Sequence, residues 1–510
     1  MRYCNVSMYN NLSATVTNQA IEVDENGVVL SIKEWDGWIN TGDINCEGRL
    51  AYPTFMDSSV VLPSSMCYTL FGVNIRNLYS VEQYITALRA TPIDKGIRGF
   101  GFNTMTMGYE GYAKMKQLLD DRCPDVPAYV LADDLTNAIV NEYVLEILKE
   151  YMPVSRDVHQ TGLLDVQQIE LLREKSDVFE FSVEEYEYSL RSFQSSMLSK
   201  GIGAIRVTGF LGGENLVSAL KNLCKEGVWC LETIIYVPIF SFDTKERMVE
   251  RYLSYGALAA DNVYVNGVSI TLDGSVDSGQ AALYNGYEVD NSWRGDIIWN
   301  IGKLWDTVSL FASTGADINI NAYGDRAVST AIQAYEATGG KTSYCISHAY
   351  LVSDSDIAVS RSKNITYCVE PNNVPYGNSY YEGDKIMLGD RIHAEYPIGR
   401  LLYAGLNVVS GGNSPTQTEI YPVNGVYRAA RRNNVDDATP YRLLETYCAT
   451  PYRVFGLADK CGSIKVGAPA TFTVLTQDLL NTREELLCNC ETVMTVVNGK
   501  VRWENDTVCS

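Results

Sequence analysis

Apolar and polar positions alternate near the amino terminus from Ala20 to Lys33, with Asn26-Gly27 between the two alternating runs, a pattern that predicts strand, tight turn and strand. The carboxy-terminal stretch repeats it: Phe472–Leu475 is a short apolar run, and Thr492–Trp503 carries alternating residues around Asn498-Gly499. Strands at both ends predict one small β-sandwich domain assembled from residues 1–50 and 451–510. Between residues 51 and 450 the period changes, and short apolar runs alternate with helical patterns. Examples are Ala128–Leu131 before Asn137–Tyr151, Ala204–Val207 before Asn215–Cys224, and Ile318–Asn321 before Arg326–Thr338. Repeated strand and helix units require a parallel sheet covered by helices, which makes the fold class α/β. A span of this size favours a closed (β/α)8 TIM-like barrel with insertions over an open sheet. No glycine-rich dinucleotide fingerprint follows a strand, since Gly209, Gly212 and Gly213 lack its spacing.

Composition narrows the function classes. The 510 residues, 46% hydrophobic and 20% charged, can bury a large core. A net charge of −21 without any Lys/Arg block argues against nucleic acid or an anionic membrane as a partner. Met1–Val16 does not read as a signal peptide and no apolar run is long enough to span a bilayer, so the expected location is cytoplasmic. Thirteen scattered cysteines, an odd number, predict reduced thiols, including Cys488 and Cys490 with no histidine beside them. Only His159, His348 and His393 are present, which excludes a histidine-rich metal site by count.

Several segments, in order along nearly the whole chain, resemble the amidohydrolase superfamily, and within it amidohydrolase family 3, the branch with N-substituted formamide deformylase-like proteins. They are Tyr52–Leu62, Leu272-Asp273-Gly274-Ser275 with Ala281–Leu283, Ala322–Val328 containing Gly324-Asp325-Arg326-Ala327-Val328, Ile346-Ser347-His348, Glu370-Pro371, Gly411–Pro415 and Gly462–Gly467. The resemblance implies a barrel enzyme that hydrolyses non-peptide C–N bonds of amide or formamide compounds with a divalent metal at the barrel mouth. It also implies where the metal ligands would stand. The two histidines of the first strand fall on Ser59 and Val61, the bridging lysine on Ser269, a histidine on Asn321, and the Glu-His pair on Ser347 and His348. The last-strand aspartate falls on Asn413, and a further family histidine on Thr136.

Ligand counting sets the expectation, because a catalytic Zn²⁺ needs about three imidazole, carboxylate or thiolate donors and an open water position. One histidine remains, and Asn413 cannot act as a general base because an amide has no useful proton affinity near neutral pH. The expected metal and cofactor content is therefore none. The polar set expected at the mouth is Ser59, Thr136, Arg206, Asp273, Asn321, Tyr323, His348, Glu370 and Asn413. His348 and Asp273 are the candidate catalytic pair, with Asp57 or Asp273 orienting the imidazole, and the others are candidate binding residues. The alternative for Asp273 and for Asp325-Arg326 is structural: fixing loops and helix starts. Cys345 and Cys368 are expected to be buried thiols, His393 to sit on the surface or at the rim, and Tyr376 with Tyr380-Tyr381 to line an apolar ligand site or simply fill half-exposed positions. Two functions follow, a metal-independent enzyme using the barrel pocket or a catalytically inactive scaffold that binds a small molecule or a partner. A metal-dependent hydrolase would need Asp57, Asp133, Asp134 or Glu370 to gather around His348. A homo-oligomer is a possible assembly.

Overall fold

The computed structural model describes all residues except 10–15, 94, 134, 211, 339–341, 375–378, 414–420, 433–438, 483–486, 488 and 506–510. Asp134, Tyr376, Cys488 and Ser414-Pro415 thus lie outside the described residues, as do the side chains of Tyr380 and Tyr381.

Eight parallel strands form the barrel: β1 (Phe55–Leu62), β2 (Ile202–Phe210), β3 (Glu232–Ile239), β4 (Val263–Thr271), β5 (Asp317–Ala322), β6 (Tyr344–His348), β7 (Thr366–Val369) and β8 (Asn407–Ser410). Each pairs with the next in sequence. Strands covered on both faces read as continuous apolar runs, and every residue of β3 is buried. Helices follow with side-chain caps where the chain must turn back: Thr244 before Lys245–Tyr255, Asn300 before Ile301–Thr314, and Ser353 before Asp354–Lys363.

Among the described residues the seam between β8 and β1 carries no ladder. Asp57 bridges it, its Oδ1 accepting the N–H groups of Ser59 (3.1 Å) and Gly412 (2.9 Å). The chain at Thr446-Tyr447 fills the gap, accepting from Ser410 and Met56. Gly411 is required at this crossing, because an added Cβ would lie 2.5 Å from the Cβ and 2.6 Å from the backbone N of Ser59.

Two further sheets flank the barrel. Both termini build one eight-stranded sheet, including Arg2–Tyr9, Val16–Val23, Val29–Glu34, Phe472–Leu475, Thr492–Val497 and Lys500–Glu504. The expected sandwich is thus one sheet turned back on itself. Val29 donates to Ala468 and accepts from Gly467, and Tyr3 and Phe472 meet edge to face at 5.0 Å in the shared core. The other sheet corrects the strand reading. Ala128–Ala132 does not enter the barrel but joins Val73–Asn74, Ile97–Phe102, Ala138–Val140 and Leu163–Leu164 in a five-stranded sheet between β1 and β2. A short apolar strand before a helix has the same local pattern in either sheet, and its pairing partners alone decide which it joins.

Candidate functional site

The C-terminal ends of the barrel strands open into a pocket of about 150 Å³. Its inner end is polar, with Ser269, Thr271 and Asn321 as a floor and Asp273, Tyr323, His348 and Asn413 above it. Its outer wall is largely apolar and aromatic: Val61, Pro238, Ile239, Phe240, Phe242, Ile298 and Trp299. The inserted sheet reaches over the mouth, where the turn between two of its strands contributes Leu135 and Thr136. The helix Val166–Lys175 adds Gln167, Glu170 and Arg173.

His348 enters this pocket through backbone geometry. Strand alternation turns Cys345 and Ser347 toward the barrel interior and would send residue 348 outward. His348 instead adopts φ +72°, followed by Ala349 at +45°, and the chain swings the imidazole over the mouth. Left-handed backbone at two consecutive non-glycine residues costs of order 1–3 kcal/mol each and persists only when surrounding packing fixes it. That packing is visible. The imidazole stacks on Tyr323 with centroids 4.0 Å apart and planes at 11°, and its Nδ1 lies 2.6 Å from Glu370 Oε1. Glu370 is in turn held by the Tyr350 hydroxyl (2.9 Å) and the Asn373 amide (2.8 Å), both donating to Oε2. The carboxylate beside His348 is therefore Glu370, and neither Asp57 nor Asp273 plays that part: Asp57 sits at the seam and Asp273 is committed elsewhere.

Asp273 accepts three backbone N–H groups, from Ala282 (2.8 Å), Tyr323 (2.9 Å) and Gly324 (2.9 Å), and so ties the loop after β4 to the end of β5. Burial pushes its carboxyl up to about 7, opposed by those three donors and by the positive field of His348. Asp325 does similar work, accepting from Tyr284 and Arg326, while the Arg326 guanidinium holds the Gly295 carbonyl.

The pocket brings together Thr136, Asp273, Asn321, Tyr323, His348 and Asn413. Three other expected residues are not on its wall. Glu370 stands behind His348, and Ser59 is buried against Gly411 at the seam. Arg206 is fully buried beneath the floor, packed between the rings of Tyr236 (4.5 Å) and Phe455 (4.6 Å). Cys345 and Cys368 are buried, and burial pushes both thiols up, away from a nucleophilic role. His159 pairs with Glu142 at 3.3 Å in the insertion, and His393 is exposed in the turn Gly389–Ala394. The pocket residues missed in the sequence include the stacked Phe240 and Phe242 (5.3 Å, 7°) and the Glu170–Arg173 ion pair. Phe240 and Phe242 directly follow the apolar run of β3, and two aromatics just beyond a barrel strand are the signal that could have located them.

On and around this pocket, Ser59, Val61, Ser269, Asn321 and Asn413 carry no imidazole, carboxylate or thiolate, and His348 carries the imidazole. Among the described residues no group of three or more His, Cys, Asp or Glu side chains is placed to hold an ion. No helix is long and apolar enough to cross a membrane among those residues.

Known proteins agree with this architecture. A curated relative, Protein LONG AFTER FAR-RED 3 of Arabidopsis thaliana, is 22% identical over 439 residues, 80% of this chain and 74% of its own length. An uncharacterized metal-dependent hydrolase of Pyrococcus horikoshii superposes with a TM-score of 0.72 at 21% identity, covering 95% of this chain and 99% of that one. One from Pyrococcus furiosus gives 0.71 at 20% identity, over 94% and 99%. The profile of the amidohydrolase family matches residues 44–502, and with the barrel it describes already in view, this chain belongs to the amidohydrolase family.

Proposed function

We propose that this protein uses its barrel-mouth pocket for metal-independent chemistry on a small amide- or formamide-type molecule, with His348 as the general acid or base. The observation that carries the reading is the imidazole held in the pocket against a buried carboxylate, Nδ1 to Glu370 Oε1 at 2.6 Å. A histidine stacked on a tyrosine ring with one nitrogen close against a carboxylate has its ring orientation fixed, which leaves the other nitrogen to exchange a proton with substrate or water. For hydrolysis of a C–N bond, His348 would take a proton from water as oxygen attacks the carbonyl carbon and return it to the departing nitrogen, giving an acid and an amine. No step is assigned to a metal, because the residues at the family's metal positions are the wrong donors. The location that suits such an enzyme, given that no disulfide joins its described cysteines, is the cytoplasm, where thiols stay reduced.

A second reading is favoured by Asp273, whose lone pairs are taken by loop N–H groups, and by the amide at Asn413: the pocket binds a small molecule and does no chemistry. One experiment separates the readings. Purified protein is assayed for bound metal and screened against N-acyl and N-formyl compounds, with His348→Ala in parallel. The enzyme reading expects no stoichiometric metal and a rate that falls by about 10²–10⁴ in His348→Ala. One or two tightly held ions per chain would overturn both, and equal null rates in the two proteins would leave the binding reading standing.

A further inference from the structure

Beneath the pocket floor lies a charge with no carboxylate in contact with it among the described residues. The Arg206 guanidinium donates to the Ser58 carbonyl at 2.8 Å and to the Asn319 Oδ1, lies between two ring faces beside the Tyr236 hydroxyl and the Cys345 thiol, and feels Asp317 on the side away from the pocket, but among the described residues no carboxylate forms an ion pair with it. Arginine keeps its proton at any physiological pH and has donors only. It therefore dictates which way the neighbouring amides face.

The consequence can be followed bond by bond. Asn319 must point its carbonyl at Arg206, where it also accepts from Ser347 Oγ at 2.6 Å. Its amide then faces the floor, donating to Ser269 Oγ (3.1 Å) and to Asn321 Oδ1 (2.9 Å). With its carbonyl turned down, Asn321 directs its own amide at Thr271 Oγ1 (3.1 Å) and Ser269 Oγ (3.5 Å). A hydroxyl has two lone pairs and one proton. Both lone pairs of Ser269 are taken by amide N–H groups from below, so what it can offer the pocket is its O–H. Thr271, accepting from Asn321, is biased the same way. From Arg206 through Asn319 and Asn321 the bonds run outward from the cation, and they reach a floor where Ser269 presents its O–H and Thr271 is biased to do the same.

We propose that Arg206, acting through Asn319 and Asn321, makes the pocket floor selective for an anionic oxygen, so that the bound molecule is a carboxylate carried on an apolar body. The carboxylate would meet the Ser269 and Thr271 hydroxyls above a permanent positive charge. The body would lie against Phe240, Phe242 and Trp299. At the floor itself a cation, whether an ammonium group or a metal ion, would face protons and a like charge, the Asp273 carboxyl and the Glu170–Arg173 pair standing elsewhere on the wall. Arg206 is on this account a positioning residue, since it is buried beneath the floor. The inference rests on the reading that the pocket binds a small molecule, and it adds the class of that molecule.

The test measures binding of phenylacetate and of phenethylamine, two probes of similar body and opposite charge, to the full-length protein by calorimetry. Phenylacetate is expected to bind at least tenfold more tightly. Ser269→Ala should weaken phenylacetate by roughly tenfold or more, the range for a hydrogen bond to a charged group, and leave phenethylamine unchanged. Arg206→Met, where circular dichroism shows it folded, should collapse the preference between the probes, a readout that a merely structural arginine would not move. Equal or tighter binding of phenethylamine, or full phenylacetate affinity in Ser269→Ala, would overturn the proposal alone. Binding of neither probe would overturn the small-molecule reading beneath it as well.

Discussion

The carboxyl of Asp273 gives a prediction whose sign and size both follow from the structure. Burial raises it from an ordinary 3.8 to about 7 in the folded chain, while the unfolded chain keeps the ordinary value. Between those limits the folded protein holds a proton that the unfolded one has released. Stability from this group is therefore fully present below pH 3.8, falls as pH rises, and is gone once pH has passed 7. From pH 5 to pH 8 the loss is about two pH units' worth, or about 3 kcal/mol at roughly 1.4 kcal/mol per unit. Other groups titrate over the same range, so the measurement is a difference. Urea unfolding of wild type and Asp273→Asn is carried out at both pH values, and the variant, which cannot titrate there, removes only this contribution. Wild type should lose about 3 kcal/mol more than Asp273→Asn between pH 5 and pH 8. If the two proteins lose the same amount, the three N–H donors from Ala282, Tyr323 and Gly324 keep the carboxylate ionised throughout, and the argument from burial is wrong.

The remaining predictions concern the seam, the histidine, the wall and metal. Gly411→Ala would drive a Cβ into the backbone of Ser59 and should destabilise the protein by roughly 1–3 kcal/mol or more in denaturant titration. Gly256→Ala, where an added Cβ meets nothing within 4 Å, serves as the control and should change stability by less than about 0.5 kcal/mol. Glu370→Gln replaces the buried carboxylate that His348, Tyr350 and Asn373 share with a neutral amide and should cost roughly 1–3 kcal/mol of stability; a change below about 0.5 kcal/mol would mean those contacts contribute little. Phe240→Ala should weaken any pocket ligand with an aromatic body by about tenfold while leaving the melting temperature nearly unchanged, since the side chain lines the pocket wall. Prolonged chelation should leave the melting temperature within a degree, and a fall of several degrees would show a structural ion.

Periodicity alone determined much of the architecture. The hairpins around Asn26-Gly27 and Asn498-Gly499 and the strand-helix units at β2 and β5 are local matters, set by alternation, turn residues and caps acting over a few positions. The neutral chemistry of Ser269, Asn321 and Asn413 was legible too, because it is a question of which atoms a side chain carries. What the tertiary structure decided were relations between distant residues. Ala128–Ala132 went to the inserted sheet because its partners are Ile97–Phe102 and Ala138–Val140. Glu370 rather than Asp57 came to His348 because the seam claimed Asp57 first, through Gly412, 355 residues away along the chain. His348 faces the mouth by virtue of a positive φ that no residue type announces, and Arg206 lies under the floor because packing between two rings draws its guanidinium inward. Local pattern fixes elements over a few residues, whereas the position of a charge depends on everything that packs against it.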